Sequence, residues 1–251
     1  PSILISNDDG IFSDGIYALW EAMSEIGKTT VVAPNTEKSA VGHAITLSDP
    51  IRIQKVKRAN GFVGFSVHGT PADSVKIAVK SIMDSKPDLI ISGINAGANV
   101  GQNLLYSGTI SAATEGTFLG IPSIAISLNS YEKCDFSGAK KVASKIVDAV
   151  LQNDLPRGTL LNVNVPSIPE TNYLGYKITK QGDLFFKDHF EKREDPRGRQ
   201  YYWMTGVIVN PDSDIQWDGF ALEKGYVSIT PLHLKMTNID IINELSEWNL
   251  D

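Results

Sequence analysis

The chain has 251 residues, 42% hydrophobic and 21% charged, which supports one sizeable α/β core or a core with an appendage and excludes wholesale disorder. A net charge of −6 argues against a nucleic-acid partner, the single cysteine, Cys134, excludes an intrachain disulfide, and no apolar run reaches the ~18 residues of a membrane span. With no signal pattern ahead of the first strand-like run, these features predict a cytoplasmic protein with neither nucleic acid nor membrane as partner.

Ser2–Ser6 is a short apolar strand that stops at Asn7-Asp8-Asp9-Gly10. Apolar residues at helical spacing follow from Ile16 to Ile26 (Ile16, Leu19, Trp20, Met23, Ile26), with Gly27 as a stop, and Thr30–Ala33 is a second strand ending at Pro34. These three pieces form a βαβ unit, the mark of a parallel sheet. Phe62–Val67 reads as a strand. Thr70 as N-cap and Pro71 at the first helical position open a helix that runs to about Met83. Leu89–Ile91 is a buried-strand run, Gly93–Gly101 a glycine-rich loop, and Ser111–Leu119 a helix. Ile124–Ile126 is a strand, Phe136–Leu151 a long amphipathic helix, and Leu160–Val165 another strand. After Pro166 the strands lengthen and alternate with polar residues (Gly175–Lys180, Tyr201–Met204, Tyr226–Thr230) around a charged stretch, Lys187–Arg199. An amphipathic helix at about Ile239–Trp248 closes the chain. The expected organisation is therefore a Rossmann-like three-layer core with a mostly parallel sheet over residues 1–166. A β-rich extension and arm over 167–251 would follow, with strand 226–230 returning to the core and the arm joining subunits.

Ligands of doubly wound sheets bind outside the carboxyl ends of the strands, so the strand exits carry the functional reading. At the first exit, adjacent carboxylates Asp8 and Asp9 repel one another and suit a hard divalent cation; the same residues also read as an acidic helix start. At the second, Ser39 offers an oxygen ligand and His43 a phosphate contact or proton donor, in a segment that alone reads equally as a surface loop. At the third, Ser92–Gly101 combines glycines, which let backbone N–H groups approach an anion, with Asn95 as an oxygen ligand or amide donor. Tyr106-Ser107-Gly108-Thr109 then places hydroxyls and free N–H groups at a helix N-terminus, a phosphate cradle or simply a cap. Asp73 reads as a first-turn helix residue, and His68, His189 and His233 as structural.

Asn7–Gly10, the Ser39 loop, Gly69–Asp73, Ser92–Asn95, Tyr106–Thr109 and Tyr226–His233 occur in that order over nearly the whole chain. In that combination the sequence resembles the survival protein E (SurE) family of 5′/3′-nucleotidases. The resemblance implies one divalent ion per subunit, Mg²⁺ or Mn²⁺, on Asp8, Asp9, Ser39 and Asn95, with Asp8, Asp9 and Asn95 catalytic. It implies phosphate binding by Ser107, Gly108 and Thr109, to which the Gly42-His43 segment adds. It also implies hydrolysis of nucleoside monophosphates, with short polyphosphate as a further substrate, and a homodimer or homotetramer built by exchange of the C-terminal arm. Where many relatives carry Asp-Arg, this chain has Asn35-Thr36.

Three other readings compete. A phospho-aspartate phosphatase needs Asp-x-Asp, whereas these aspartates are adjacent. A dinucleotide-binding oxidoreductase needs a glycine fingerprint after the first strand, which is missing. A non-catalytic nucleotide-sensing stress or scaffold oligomer is compatible with the fold alone, and chelator-sensitive phosphate release would separate it from an enzyme.

Overall fold

The computed structural model describes residues 1–132 and 134–249. The strands are β1 (Ser2–Ser6), β2 (Lys28–Pro34), β3 (Ile53–Lys57), β4 (Val63–Val67), β5 (Leu89–Ala96), β6 (Ser123–Leu128), β7 (Thr159–Val165), β8 (Tyr176–Ile178), β9 (Phe185–Glu194), β10 (Gln200–Val209) and β11 (Val227–His233). The helices are α1 (Asp14–Ser24), α2 (Pro71–Ile77), α3 (Gly108–Phe118), α4 (Ser137–Asn153), α5 (Asp218–Glu223) and α6 (Ile242–Ser246).

Nine strands form one sheet in the order β3-β4-β2-β1-β5-β6-β7-β11-β8, with antiparallel pairing only at β3–β4 and β7–β11. This is the mostly parallel Rossmann-like architecture expected from the sequence. Its central strands are covered on both faces, which is why β5 and β6 read as near-continuous apolar runs. Ile3, Ile5, Leu89, Ile91, Ile124 and Ile126 pack with the buried faces of α1 and α4. Leu4, Val32 and Ile90, pointing the other way by strand alternation, pack with Val75 of α2 and Ala112 of α3. The chain winds from β1 outward through β2 and β4, then jumps back to lay β5 on the other side of β1. The β1/β5 boundary is thus the switch point where a crevice opens at the carboxyl edge.

Several local expectations are corrected. β5 does not end at Ile91 but continues through Gly93–Ala96, so the first part of the expected glycine-rich loop is strand. Gly93 has φ +140°, and a Cβ there would lie 2.3 Å from Ile126 O, so this position needs glycine where β5 crowds β6. The pairing with β6 shifts register between Ser92 and Asn95. α3 begins at Gly108, three residues before the expected start, because the Ser107 side chain caps it by accepting from Ile110 N. α2 is shorter than expected: its regular part ends at Ile77 and a wider turn covers Ala78–Ile82. Edge strand β3, rich in Lys and Gln, carries no apolar alternation and was not anticipated. The final helix shrinks to α6 after a 3₁₀ turn at Ile239–Ile241.

β9 and β10 form the separate two-stranded antiparallel hairpin expected of a C-terminal β-hairpin/helix arm, with strands longer than Tyr201–Met204 and β9 running into the charged stretch 187–199. It leaves Phe190, Tyr202, Trp203, Met204 and Val207 exposed.

Candidate functional site

β1 delivers Asp8 and Asp9 to the switch point, and β5, in register with it at Ser6↔Ser92, delivers Asn95 to the same edge. The turn is stiffened from inside. Asn7 Nδ2 donates to Gly10 O (3.1 Å) and to Ser13 Oγ (2.8 Å), and Ser13 is the N-cap of α1. The second loop packs against it: Ile11 N donates to Pro34 O (2.9 Å) and Lys38 N to Asp8 O (2.7 Å).

Asp8 is buried, and its Oδ1 accepts a short hydrogen bond from the Thr109 hydroxyl on the first turn of α3. Gly108 lies so close that a Cβ there would sit 2.6 Å from Asp8 Cβ and 2.9 Å from Asp8 Oδ2. Burial pushes the Asp8 carboxyl above the ordinary range, against opposing hydrogen bonds from Thr109 and Gly108. Asp9 is raised to about 7 by burial and by the charge of Asp8, with Glu37 adding a smaller push and the Ala96 backbone hydrogen bond opposing them. Asp9 therefore touches the end of β5, one residue past Asn95. The Asn95 amide nitrogen is committed to Gly97 O (2.7 Å), which leaves its oxygen as the end able to meet a cation.

Ser39 is exposed, and its hydroxyl donates to Glu37 Oε1 (2.6 Å). Because Glu37 also acts on Asp9, this segment lies beside the paired carboxylates. Gly42 N donates to Tyr106 O (3.0 Å), joining the same loop to the turn that leads into Ser107. His43 points along α3: Nε2 lies 3.1 Å from Glu115 Oε2, and the ring stacks on Phe118 at 5.6 Å. It lines a cleft of about 660 Å³ shared with Ile110, Ser111, Leu160 and Thr230. The Thr109 hydroxyl is turned to Asp8, while the Ser107 side-chain oxygen accepts from Ile110 N.

Among the described residues neither Asp8 nor Asp9 forms an ion pair with a basic side chain. Two adjacent, substantially buried carboxylates therefore lack a cationic side-chain partner, and burial raises their affinity for protons. Asn95, near the end of β5 at the same sheet edge, offers an amide oxygen. This all-oxygen donor set fits a hard divalent cation. Among the described residues no cluster of three His, Cys, Asp or Glu side chains forms a metal site, so any ion here would draw on hydroxyl and amide oxygens as well.

Sequence reasoning read Asp73 as a first-turn helix residue and Asn99 as part of the glycine-rich loop, but did not foresee the long-range bonds by which these and Glu115 hold the loops. Glu115, buried in α3, bonds His43 and also Lys76 Nζ (2.7 Å). Burial would raise its carboxyl, but the hydrogen bonds and charges of His43 and Lys76 outweigh it and hold it below the ordinary range. Asp73 closes a capping box with Thr70 and also accepts from Thr46 N (3.1 Å) and Thr46 Oγ1 (2.6 Å), fastening the end of the second loop. Asn99 is gripped by its neighbours: its N–H donates to Asn164 Oδ1 (2.8 Å), its Nδ2 to Ser127 Oγ (2.8 Å), and its carbonyl accepts from Asn162 (2.8 Å) and Asn164 (3.0 Å). The alternating asparagines inside apolar β7 were the available signal, since buried amides need partners.

The family model described as "Survival protein SurE" matches residues 3–188. The chain is 46% identical over 248 residues to a protein named "5'-nucleotidase SurE" from Syntrophobacter fumaroxidans, covering 99% of each. It is 46% identical over 250 residues to the protein of that name from Chlorobium phaeobacteroides, covering 100% of this chain and 97% of the relative. The crystal structure of the SurE protein from Aquifex aeolicus superposes with a TM-score of 0.86 at 41% identity, covering 98% of both chains.

Proposed function

The chain belongs to the survival protein SurE family, and from that premise we propose that it is a 5′-nucleotidase, hydrolysing nucleoside 5′-monophosphates to nucleoside and phosphate. The observation that carries the reading is the direct contact between Asp8 and the first turn of α3, where Thr109 donates to the carboxylate and Gly108 presses against it. A carboxylate suited to a cation and a helix N-terminus suited to an anion share one wall.

In this proposal Asp8, Asp9, Ser39 and Asn95 hold one Mg²⁺ or Mn²⁺ per subunit. The ion would supply Lewis-acid polarisation of the phosphoryl group and a water of lowered pKa. Asp8 is the preferred acceptor of the attacking water's proton, and the Thr109 hydroxyl keeps its carboxylate in place. The N–H groups at the start of α3 and the Ser107 hydroxyl bind the phosphoryl oxygens as the P–O ester bond breaks. Gly42, bonded to Tyr106, and His43, bonded to Glu115 of α3, are proposed to add contacts to the substrate phosphate. Hydrolysis of 3′-monophosphates and of short polyphosphate are extensions of the same proposal, since the site grips a phosphoryl group and not its ester position. The exposed aromatic face of the β9–β10 hairpin supports assembly into a homodimer or homotetramer. No helix among the described residues is long and apolar enough to cross a membrane, and a cytoplasmic location is proposed with the rest.

A phosphate-release panel over nucleoside monophosphates, with Mg²⁺, Mn²⁺ or chelator, tests the reading. Release that requires metal and disappears on Asp8→Asn substitution is expected. Chelator-insensitive release would overturn the metal assignment, and nucleotide binding without turnover under every metal would turn the reading towards the scaffold alternative.

A further inference from the structure

Asp218 is fully buried, far along the chain from the strand exits, and lies in a segment the proposed chemistry does not use. Its Oδ1 accepts from Gly182 N (2.9 Å) and Gly219 N (2.8 Å), and its Oδ2 from Gly101 N (3.1 Å). A buried carboxylate is unfavourable unless hydrogen-bonded, and here backbone donors from three separate segments converge on it. Gly101 is held from other sides too. Its carbonyl accepts from Gln181 Nε2 (2.9 Å), its neighbour Gln102 N donates to Leu184 O (2.8 Å), and its φ is +57°. A Cβ at Gly101 would lie 2.3 Å from Leu184 O, so the two segments are in backbone contact.

Gly101 opens the 3₁₀ segment Gly101–Tyr106, whose Leu104 O accepts from Ser107 N (3.3 Å) immediately before α3. Leu184 immediately precedes β9, the first strand of the exposed hairpin. Resting on the phosphate-binding role of Ser107–Thr109 proposed above, we propose that Asp218 is a positioning residue. Its carboxylate ties the segment that sets Ser107 to Gly182, at the root of the hairpin, so that the anion turn is held through contacts outside the site. Asp218 itself touches neither the carboxylate pair nor α3.

The test uses the full chain with Asp218→Asn, which keeps the shape but replaces an acceptor oxygen by a donor. The circular dichroism spectrum and oligomeric state should match wild type. Inorganic phosphate affinity, measured by calorimetry with Mg²⁺ present, should fall about tenfold, the scale expected when a buried donor loses a charged acceptor. KM for a nucleoside monophosphate should rise by a similar factor with a smaller fall in kcat. Mn²⁺ affinity of the free protein, read by paramagnetic resonance, should stay within about twofold of wild type. Hydrogen exchange should accelerate over 101–107 and not in β1 or β5. Unchanged phosphate affinity, or Mn²⁺ affinity falling in step with it, overturns the proposal. If Asp218→Asn does not accumulate as folded protein, Gln181→Ala decides: it removes the bond to Gly101 O and should weaken phosphate in the same direction, and no change overturns the proposal. Wild-type protein that binds phosphate yet hydrolyses no monoester would sink the nucleotidase reading while leaving this inference standing. Wild-type protein that binds no phosphate overturns the inference.

Discussion

Replacing Gly108 by alanine adds one methyl group where the phosphate turn meets the carboxylate proposed to hold the metal. The new Cβ would stand 2.6 Å from Asp8 Cβ and 2.9 Å from Asp8 Oδ2, whereas ordinary carbon contacts lie at ~3.5–4.0 Å, so about 1 Å of separation must be found. Asp8 has little backbone freedom to provide it. β1 is paired on both sides, and Asp8 O is held by Lys38 N at 2.7 Å. The relief falls on the Asp8 side chain and the first turn of α3, the two groups whose spacing the proposed reaction depends on. A displacement of about 1 Å at a reacting centre lowers kcat/KM by ~100-fold, or ~2.7 kcal/mol in the barrier. Overpacking of this kind destabilises the fold by only ~1–3 kcal/mol, and a chain of this size loses roughly 2–4 °C in Tm for each of those kcal/mol. Initial rates of 5′-monophosphate hydrolysis at saturating Mn²⁺, paired with thermal melts, separate the two effects. Wild-type kcat/KM in a folded Gly108→Ala protein would show that the Asp8–α3 contact does not matter to catalysis.

Asp8→Asn should leave the melting profile close to wild type in chelator and reduce phosphate release at saturating metal by at least ~1000-fold, the scale of removing a group that acts at the transition state. Glu115→Gln removes the charge that His43 and Lys76 share, and should destabilise the protein by ~1–3 kcal/mol in urea titration while raising KM more than it lowers kcat. Metal-free protein should lose stability as pH rises from 5 to 8. Asp9 titrates at about 7 in the folded chain against an ordinary 3.8, so the folded state holds an extra proton between those values, and its favourable contribution disappears as pH passes 7. Asp8, also raised, acts in the same direction. Saturating Mg²⁺ should reverse this slope, because a bound cation stabilises the ionised pair, and chemical denaturation at pH 5 and pH 8 with and without metal reads it directly.

The alternation of apolar strand runs with amphipathic helices was enough to predict a parallel Rossmann-like sheet, because burial on both faces leaves its mark on every strand locally: Ile3-Leu4-Ile5, Leu89-Ile90-Ile91 and Ile124-Ala125-Ile126 are uniformly apolar. The Thr70-Pro71 helix start was legible for the same reason, since a capping box is closed by residues three apart. The ordered motifs at the strand exits named the candidate site residues, as each is a short contiguous string. Interactions across long separations were not legible. Nothing local announces that Asp8 will accept from Thr109, that Glu115 will bridge His43 and Lys76, or that Asp218 will bind the N–H groups of Gly101 and Gly182. Those partners meet because the sheet order carries β5 back beside β1 and because the C-terminal segment returns against the loop after β5. Local free-energy preferences are written in neighbouring residues and can be read from them. The charge environment of Asp8 and Asp9 depends on which distant backbone and side-chain groups the closed fold brings against them, and that is a property of packing alone.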